Sequence, residues 1–245
     1  MVETFSKLFD ILHNHVEKVI KEGEESLERA SDYVAEAIEK GGFEYVFGTG
    51  HSMLVALEVF FRAGGLVRVY PIIDLSLLGV PSAVRASILE KLPNYAKSLV
   101  ESTPILPNSV LVVVSNSGKN AVPVELAHSF KERGVKVVAI TSVKYSMSLK
   151  PENSLGKRLY EVADVVIDNK IPEGDVTYVI NDYVKTFPIS TMVNSFILHA
   201  VNVRAAEKLL EKGIAPEMWT SVNVPGGSER NREYISKYRT LIKHL

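Results

Sequence analysis

Five consecutive branched aliphatic residues, Val110 to Val114, run into Ser115-Asn116-Ser117-Gly118 with no polar interruption. A strand with one face in water alternates apolar and polar residues; one this uniformly apolar fits a strand covered on both faces, in the middle of a parallel sheet. The segment that follows places Ala121, Val124, Leu126, Ala127 and Phe130 on one face of a helix. A buried strand, a small-residue loop and a helix start together form an anion site, because backbone N–H groups point outward there. Ser115, Ser117 and Asn120 add side-chain donors to the same concavity.

The rest of the chain repeats this unit. Residues 1–42 are helical in pattern, with Phe5, Leu8, Leu12, Val16, Leu27, Val34 and Ile38 at three- and four-residue steps and Gly41-Gly42 as the stop. A strand at 43–48 leads through Thr49-Gly50-His51 into a helix over 52–63, and Gly64-Gly65 precedes a strand at 66–73. Pro81 and Ser82 introduce a helix over 84–100. After the strand at 110–114 and its helix to Arg133 come strands at 135–141 and 163–169, then a long helix over 190–210. Alternation of strand and helix predicts an α/β domain with helices on both faces of a parallel sheet. A core over 43–210 is preceded by helices and followed by a C-terminal arm over 211–245 holding Trp219.

At 245 residues the chain suits one large domain, and its net charge of -1 supplies no field that would draw it to nucleic acid or an anionic membrane. The absence of cysteine excludes disulfides and thiolate chemistry and suits a cytoplasmic protein. The N-terminus does not read as a signal peptide, and no apolar run approaches the length of a transmembrane helix.

Ligands of open parallel sheets bind outside the carboxyl ends of the strands. Three such ends here carry hydroxyls, the first two with glycines as well: Gly48 to Ser52, Ser115 to Asn120, and Thr141-Ser142. This chemistry, with few charges, suits a phosphate and sugar hydroxyls. A dinucleotide fingerprint would need a third glycine where Met53 stands, although Asp74 occupies a place suited to a ribose-binding acid. The P-loop pattern fails because Asn120 follows Gly118-Lys119 where Ser or Thr is required.

Gly48-x-Gly50-x-Ser52-x-x-x-Ala56 after one strand and Ser115-x-Ser117-Gly118 after a later one resemble the SIS (sugar isomerase) domain superfamily. The segments YVFGTGHS, FRAGGL and SNSGKNAVPVE are similar to those of a subfamily of stand-alone SIS-domain proteins related to phosphoheptose isomerase. The resemblance implies a doubly wound, five-stranded parallel sheet, a phosphorylated sugar as ligand, and a homodimer or homotetramer. It also implies Ser52, Ser115, Ser117 and Asn120 as phosphate ligands, with Gly50 and Asn116 in the same loops and Thr141 or Ser142 assisting. Lys119 is either a further phosphate contact or a surface lysine.

Aldose–ketose isomerisation needs a base near the sugar and a group that moves protons between oxygens. His51 lies in the glycine loop, and Glu58 sits on the helix that begins there, amid apolar residues that would leave a carboxylate paired or functional. His199 lies within the long helix. Resemblance to the phosphoheptose isomerase branch implies a glutamate a few residues beyond Glu58 and a late-helix histidine in catalysis. His13, His15, His128 and His244 read as surface residues. His13 and His15 face different sides of one helix, so no metal is expected, and no cofactor. The sequence therefore predicts a phosphosugar isomerase. A phosphosugar-binding protein without turnover, or an amino-sugar phosphate deaminase or etherase, is the alternative, and an NAD-dependent oxidoreductase is disfavoured. The segment 144–158 is either a lid or an ordinary loop with a short helix.

Overall fold

A computed structural model describes residues 3–80 and 82–245; the expected role of Pro81 at a helix start and the first two residues fall outside them. One helix, α1 (Glu3–Glu39), accounts for the N-terminal periodicity. At 1.5 Å per residue it is about 55 Å long, and its first turns are the least covered: Val19, Ala30, Val34 and Ala37 are buried, while Phe5 and Phe9 are exposed. The helix ends where the Gly42 amide donates to the Ala37 carbonyl at 2.8 Å.

The sheet comprises β1 (Glu44–Gly48), β2 (Val69–Pro71), β3 (Val110–Val114), β4 (Lys136–Thr141) and β5 (Val165–Asp168), in the order β2-β1-β3-β4-β5. Every pair within it is parallel. The chain steps outward from β1 to β2, then returns across β1 to β3 and continues the other way. The crevice between β1 and β3 is therefore the switch point where doubly wound sheets bind ligands. All five residues of β3 are buried. Val110, Val112 and Val114 join one core with α1 and α9 (Ser190–Glu211), and Leu111 and Val113 join the other with α6 (Ala121–Glu132). Both faces are thus apolar, as β3's composition requires, and Leu111→Ala would destabilise the fold by about 2–5 kcal/mol.

The helix after β1, α2 (Ser52–Val59), is shorter than its sequence pattern. Phe60 is extended and Phe61 has a φ of 46°, packing on Trp219 at 4.7 Å. The next residues pair with the C-terminal arm: the Gly64 amide donates to Trp219, Trp219 to Gly65, and Val67 to Glu217. That pairing confines β2 to three residues of the expected strand. The single helix expected over 84–100 is instead α4 (Ala83–Leu89) and α5 (Tyr95–Ser102), preceded by α3 (Leu75–Leu78). Pro93 and Asn94, with its φ of 65°, break it.

The segment 144–158 belongs to α7 (Val143–Met147) and a loop leading to α8 (Leu159–Val162). A small hairpin, β6 (Tyr178–Val179) with β7 (Lys185–Thr186), precedes α9 and has no strong sequence signal. The arm ends in α10 (Gly227–Tyr238), whose Tyr238 packs edge-on against Phe43 beneath the sheet. Arg204 and Lys208 of α9, and Lys212 just past its end, pair with Glu28, Asp32 and Glu39 of α1, clamping the two helices. No helix among the described residues is long and apolar enough to cross a membrane.

Candidate functional site

The carboxyl ends of β1 and β3 bring the glycine loop and the Ser115–Asn120 loop side by side. Their shape depends on two glycines. A Cβ on Gly48 would lie 2.6 Å from the Ser52 backbone, so only glycine lets α2 start so close to the strand. Gly118 has a φ of 54°, and a Cβ there would lie 3.0 Å from Thr141 Oγ1.

Ser117 is half-buried, and its side chain makes no hydrogen bond among the described residues. Asn120, at the start of α6, is 8% exposed, and its Oδ1 has no partner among the described residues. Burying such an oxygen unsatisfied is unfavourable by roughly 1–3 kcal/mol, so the loop is chemically incomplete. Ser115 is buried, and its hydroxyl accepts the Gly118 amide at 3.2 Å. The backbone contributes less than a bare helix start would. The Val122 amide is taken by the Glu90 carbonyl at 3.0 Å, and Pro123 has no N–H. At α2, the amides of Ser52, Met53 and Leu54 donate to the carbonyls of Thr49, Gly50 and His51. Side chains therefore supply much of the site's hydrogen-bonding capacity.

Thr141 and Ser142 are buried behind the loop. The Thr141 hydroxyl donates to the Asn116 carbonyl at 3.3 Å, and the Ser142 hydroxyl donates to the Ile171 carbonyl at 2.6 Å. Their position is one of support for the loop rather than of exposure to its opening. Asn116 is the pivot of a cluster that sequence reading missed. Its Oδ1 accepts from Asn169 Nδ2 at 2.8 Å and from Asn194 Nδ2 at 3.2 Å, and Asn169 Nδ2 also meets Asn194 Oδ1 at 2.8 Å. With its oxygen held by two donors, the Asn116 amide must direct its own NH2 elsewhere. Asn169 is fully buried at the end of β5, and its carbonyl contacts His15 Nε2 at 2.8 Å. His15 is thus a bridge from α1 to the site rather than a plain surface residue.

Lys119 is not free beside the loop. Its Nζ lies 2.5 Å from Glu152, whose carboxyl is held below its usual range by that hydrogen bond. The Glu152 amide and Asn153 Nδ2 both donate to the Lys119 carbonyl. Ser154 donates to Glu125 of α6, and Arg158 to the carbonyls of Ser146 and Leu149. The segment suspected as a lid is therefore stapled to the site on several sides.

Of the three proton-moving candidates, His51 lines a cavity of about 450 Å3 beside the glycine loop, together with Gly50, Leu77 and Glu90. Glu58 and His199 meet each other, Oε1 to Nε2, at 3.3 Å, and Arg62 adds an ion pair to the same carboxyl oxygen at 3.1 Å. This pairing joins α2 to α9, but six residues of helix place Glu58 about 9 Å along α2 from Ser52. Asp74, the ribose-binding candidate, is engaged elsewhere: Oδ1 accepts the Ser76 amide and Oδ2 the Tyr95 hydroxyl. Met53 is fully buried where a dinucleotide fingerprint needs glycine. His244, expected at the surface, packs against Phe60 and Tyr70, and burial lowers its pKa. Among the described residues no group of three His, Cys, Asp or Glu side chains is placed to hold a metal ion.

The SIS domain family model matches residues 8–142. A UPF0309 protein of Geobacillus kaustophilus (strain HTA426) is 40% identical over 98% of this chain and 96% of its own length. One from Listeria innocua serovar 6a is 35% identical over 96% and 98%. Among solved structures, a phosphoheptose isomerase from Francisella tularensis aligns with a TM-score of 0.53 and 12% identity, covering 84% of this chain and 98% of its own. One from Neisseria gonorrhoeae aligns at 0.52 and 16%, covering 83% and 96%. At that sequence distance the likeness is one of fold.

Proposed function

The chain belongs to the SIS domain family, and on that premise we propose that it binds a phosphorylated sugar and interconverts its aldose and ketose forms. The observation that carries the binding reading is the incomplete loop at the switch point, where the Ser117 side chain and the buried Asn120 Oδ1 lack partners among the described residues. The phosphate sits between Ser52, Ser115, Ser117 and Asn120, and the Asn116 NH2 group meets a phosphate or sugar oxygen. Thr141 and Ser142 hold the loop in shape.

The sugar chain extends toward the cavity lined by Gly50 and His51. Isomerisation proceeds through an enediolate, with His51, Glu58 and His199 as the proton-moving candidates. The Glu58–His199 pair stands among exposed apolar side chains, Leu54, Leu57, Met192 and Phe196, and a second copy of the chain covers them in a homodimer or homotetramer.

Thermal shift with a panel of sugar phosphates, inorganic phosphate and NAD tests the binding. A ligand at 100 times its Kd stabilises the native state by about 2.7 kcal/mol. The reading fails if NAD raises the melting temperature and no sugar phosphate does. A sugar phosphate that raises it but is neither isomerised nor exchanged with solvent deuterium identifies a binding protein without turnover.

A further inference from the structure

Glu90 stands where the two ligand loops meet. Its carbonyl accepts the Val122 amide at 3.0 Å, two residues beyond Asn120. Its side chain reaches the other way, into the glycine loop, where Oε2 accepts the Thr49 hydroxyl at 2.9 Å. Among the described residues the other carboxyl oxygen has no hydrogen-bond partner, and no lysine, arginine or histidine forms an ion pair with Glu90. Glu90 is half-buried in the wall of the cavity that also holds Gly50 and His51. Glu58 differs in charge and in place: its Oε1 is paired with both Arg62 and His199, and it lies about two helical turns from the loops.

We propose that Glu90 is the catalytic base of the site, with Thr49 as its positioning residue. This rests on the isomerase reading above. In the open-chain aldose, the free oxygen of Glu90 takes the proton from C2. The C2–H electron pair forms the C1–C2 double bond, and the carbonyl π pair moves onto O1. His51, on the same cavity wall, protonates O1 and takes the proton from O2. The electrons on O2 re-form a carbonyl at C2, and the double-bond pair at C1 takes the proton back from Glu90. The product is the ketose, with both side chains returned to their starting states and no other reactant consumed. Holding one oxygen on Thr49 leaves a single oxygen to act, which fixes the direction of attack.

The test follows isomerisation and deuterium uptake from D2O by NMR. The probes are ribose 5-phosphate, arabinose 5-phosphate, fructose 6-phosphate and sedoheptulose 7-phosphate, with wild type, Glu90→Gln and Glu90→Asp. A positioned general base contributes about 10²–10⁴-fold. Glu90→Gln should lower turnover by that factor while the sugar phosphate still raises the melting temperature as in wild type. Glu90→Asp, whose carboxylate is one methylene shorter, should retain part of kcat with KM within threefold of wild type. If Glu90→Gln turns over within fivefold of wild type, the proposal is overturned and the isomerase reading stands. If wild type binds a probe but neither isomerises nor exchanges it, both are overturned. Should Glu90→Gln fail to fold, Glu90→Asp decides: kcat equal to that of wild type overturns the assignment.

Discussion

Glu44 opens β1 with its side chain wholly buried beneath α9, and neither carboxyl oxygen has a hydrogen-bond partner in the described residues. Asn202 of α9 is the polar group beside it; it opposes the rise in pKa without an ordinary hydrogen bond, and its own Oδ1 is also unpartnered. A carboxyl buried without partners is far less unfavourable neutral than ionised. Burial accordingly pushes the Glu44 pKa from 4.5 up to about 8. Below pH 4.5 the carboxyl is protonated whether the chain is folded or not. Between 4.5 and about 8 the unfolded chain releases a proton that the folded chain keeps, so stability falls as pH rises. The slope is about 1.36 kcal/mol per pH unit, or about 4 kcal/mol between pH 5 and pH 8. Glutamine has no proton to lose. The stability of Glu44→Gln relative to wild type should therefore improve by about 4 kcal/mol over that interval, a gain of about 8–16 °C in relative Tm for a chain of this size. Urea denaturation followed by circular dichroism at pH 5, 6, 7 and 8 measures it. A difference between the two proteins that stays within about 1 kcal/mol across the range would refute a neutral buried carboxyl.

Asn169→Ala removes both donors' bonds to Asn116 and Asn194, so urea midpoints should report a loss of about 2–4 kcal/mol, and titration calorimetry at least a tenfold loss of sugar-phosphate affinity. Asn120→Asp sets a negative charge where the phosphate is expected; affinity should fall at least 100-fold while the melting temperature of the free protein moves by less than about 3 °C. Lys119→Ala gives up a partly exposed ion pair with Glu152, and stability should fall by no more than about 1 kcal/mol. Sugar-phosphate affinity should remain within threefold, whereas a tenfold loss would make Lys119 a phosphate ligand.

The sheet was legible because β1, β3, β4 and β5 are short apolar runs bounded by glycine or polar loops, and both ligand loops were legible from Ser, Gly and Asn at strand ends. Boundaries shifted wherever distant chain intervened. The strand expected over 66–73 shrank at its start because the C-terminal arm pairs there, Met218 bridging to Leu66 and the Glu217 carbonyl accepting the Val67 amide. The helix expected over 84–100 carried its own break at Pro93-Asn94, where the proline and a left-handed asparagine separate α4 from α5. Glu90 and the Asn169–Asn194 pair were passed over for one reason: nothing local marks them. Glu90 lies within the helix expected over 84–100, and its partners Thr49 and Val122 are distant in sequence; Asn194 sits on an apolar helix, and only the convergence of β3, β5 and α9 reveals its partners. Glu58 and His199 were each suspect alone, but their contact spans 141 residues of sequence and needed the packing of α2 on α9.

Calorimetric titration of wild type and Asn120→Asp with a panel of five- to seven-carbon sugar phosphates, each beside its dephosphorylated sugar, most directly tests the central claim. The account predicts saturable binding of at least one sugar phosphate, none of its parent sugar, and loss of that binding in Asn120→Asp. Binding that survives Asn120→Asp unchanged, or an equal affinity for the sugar without its phosphate, would contradict a phosphate seat at the carboxyl ends of β1 and β3.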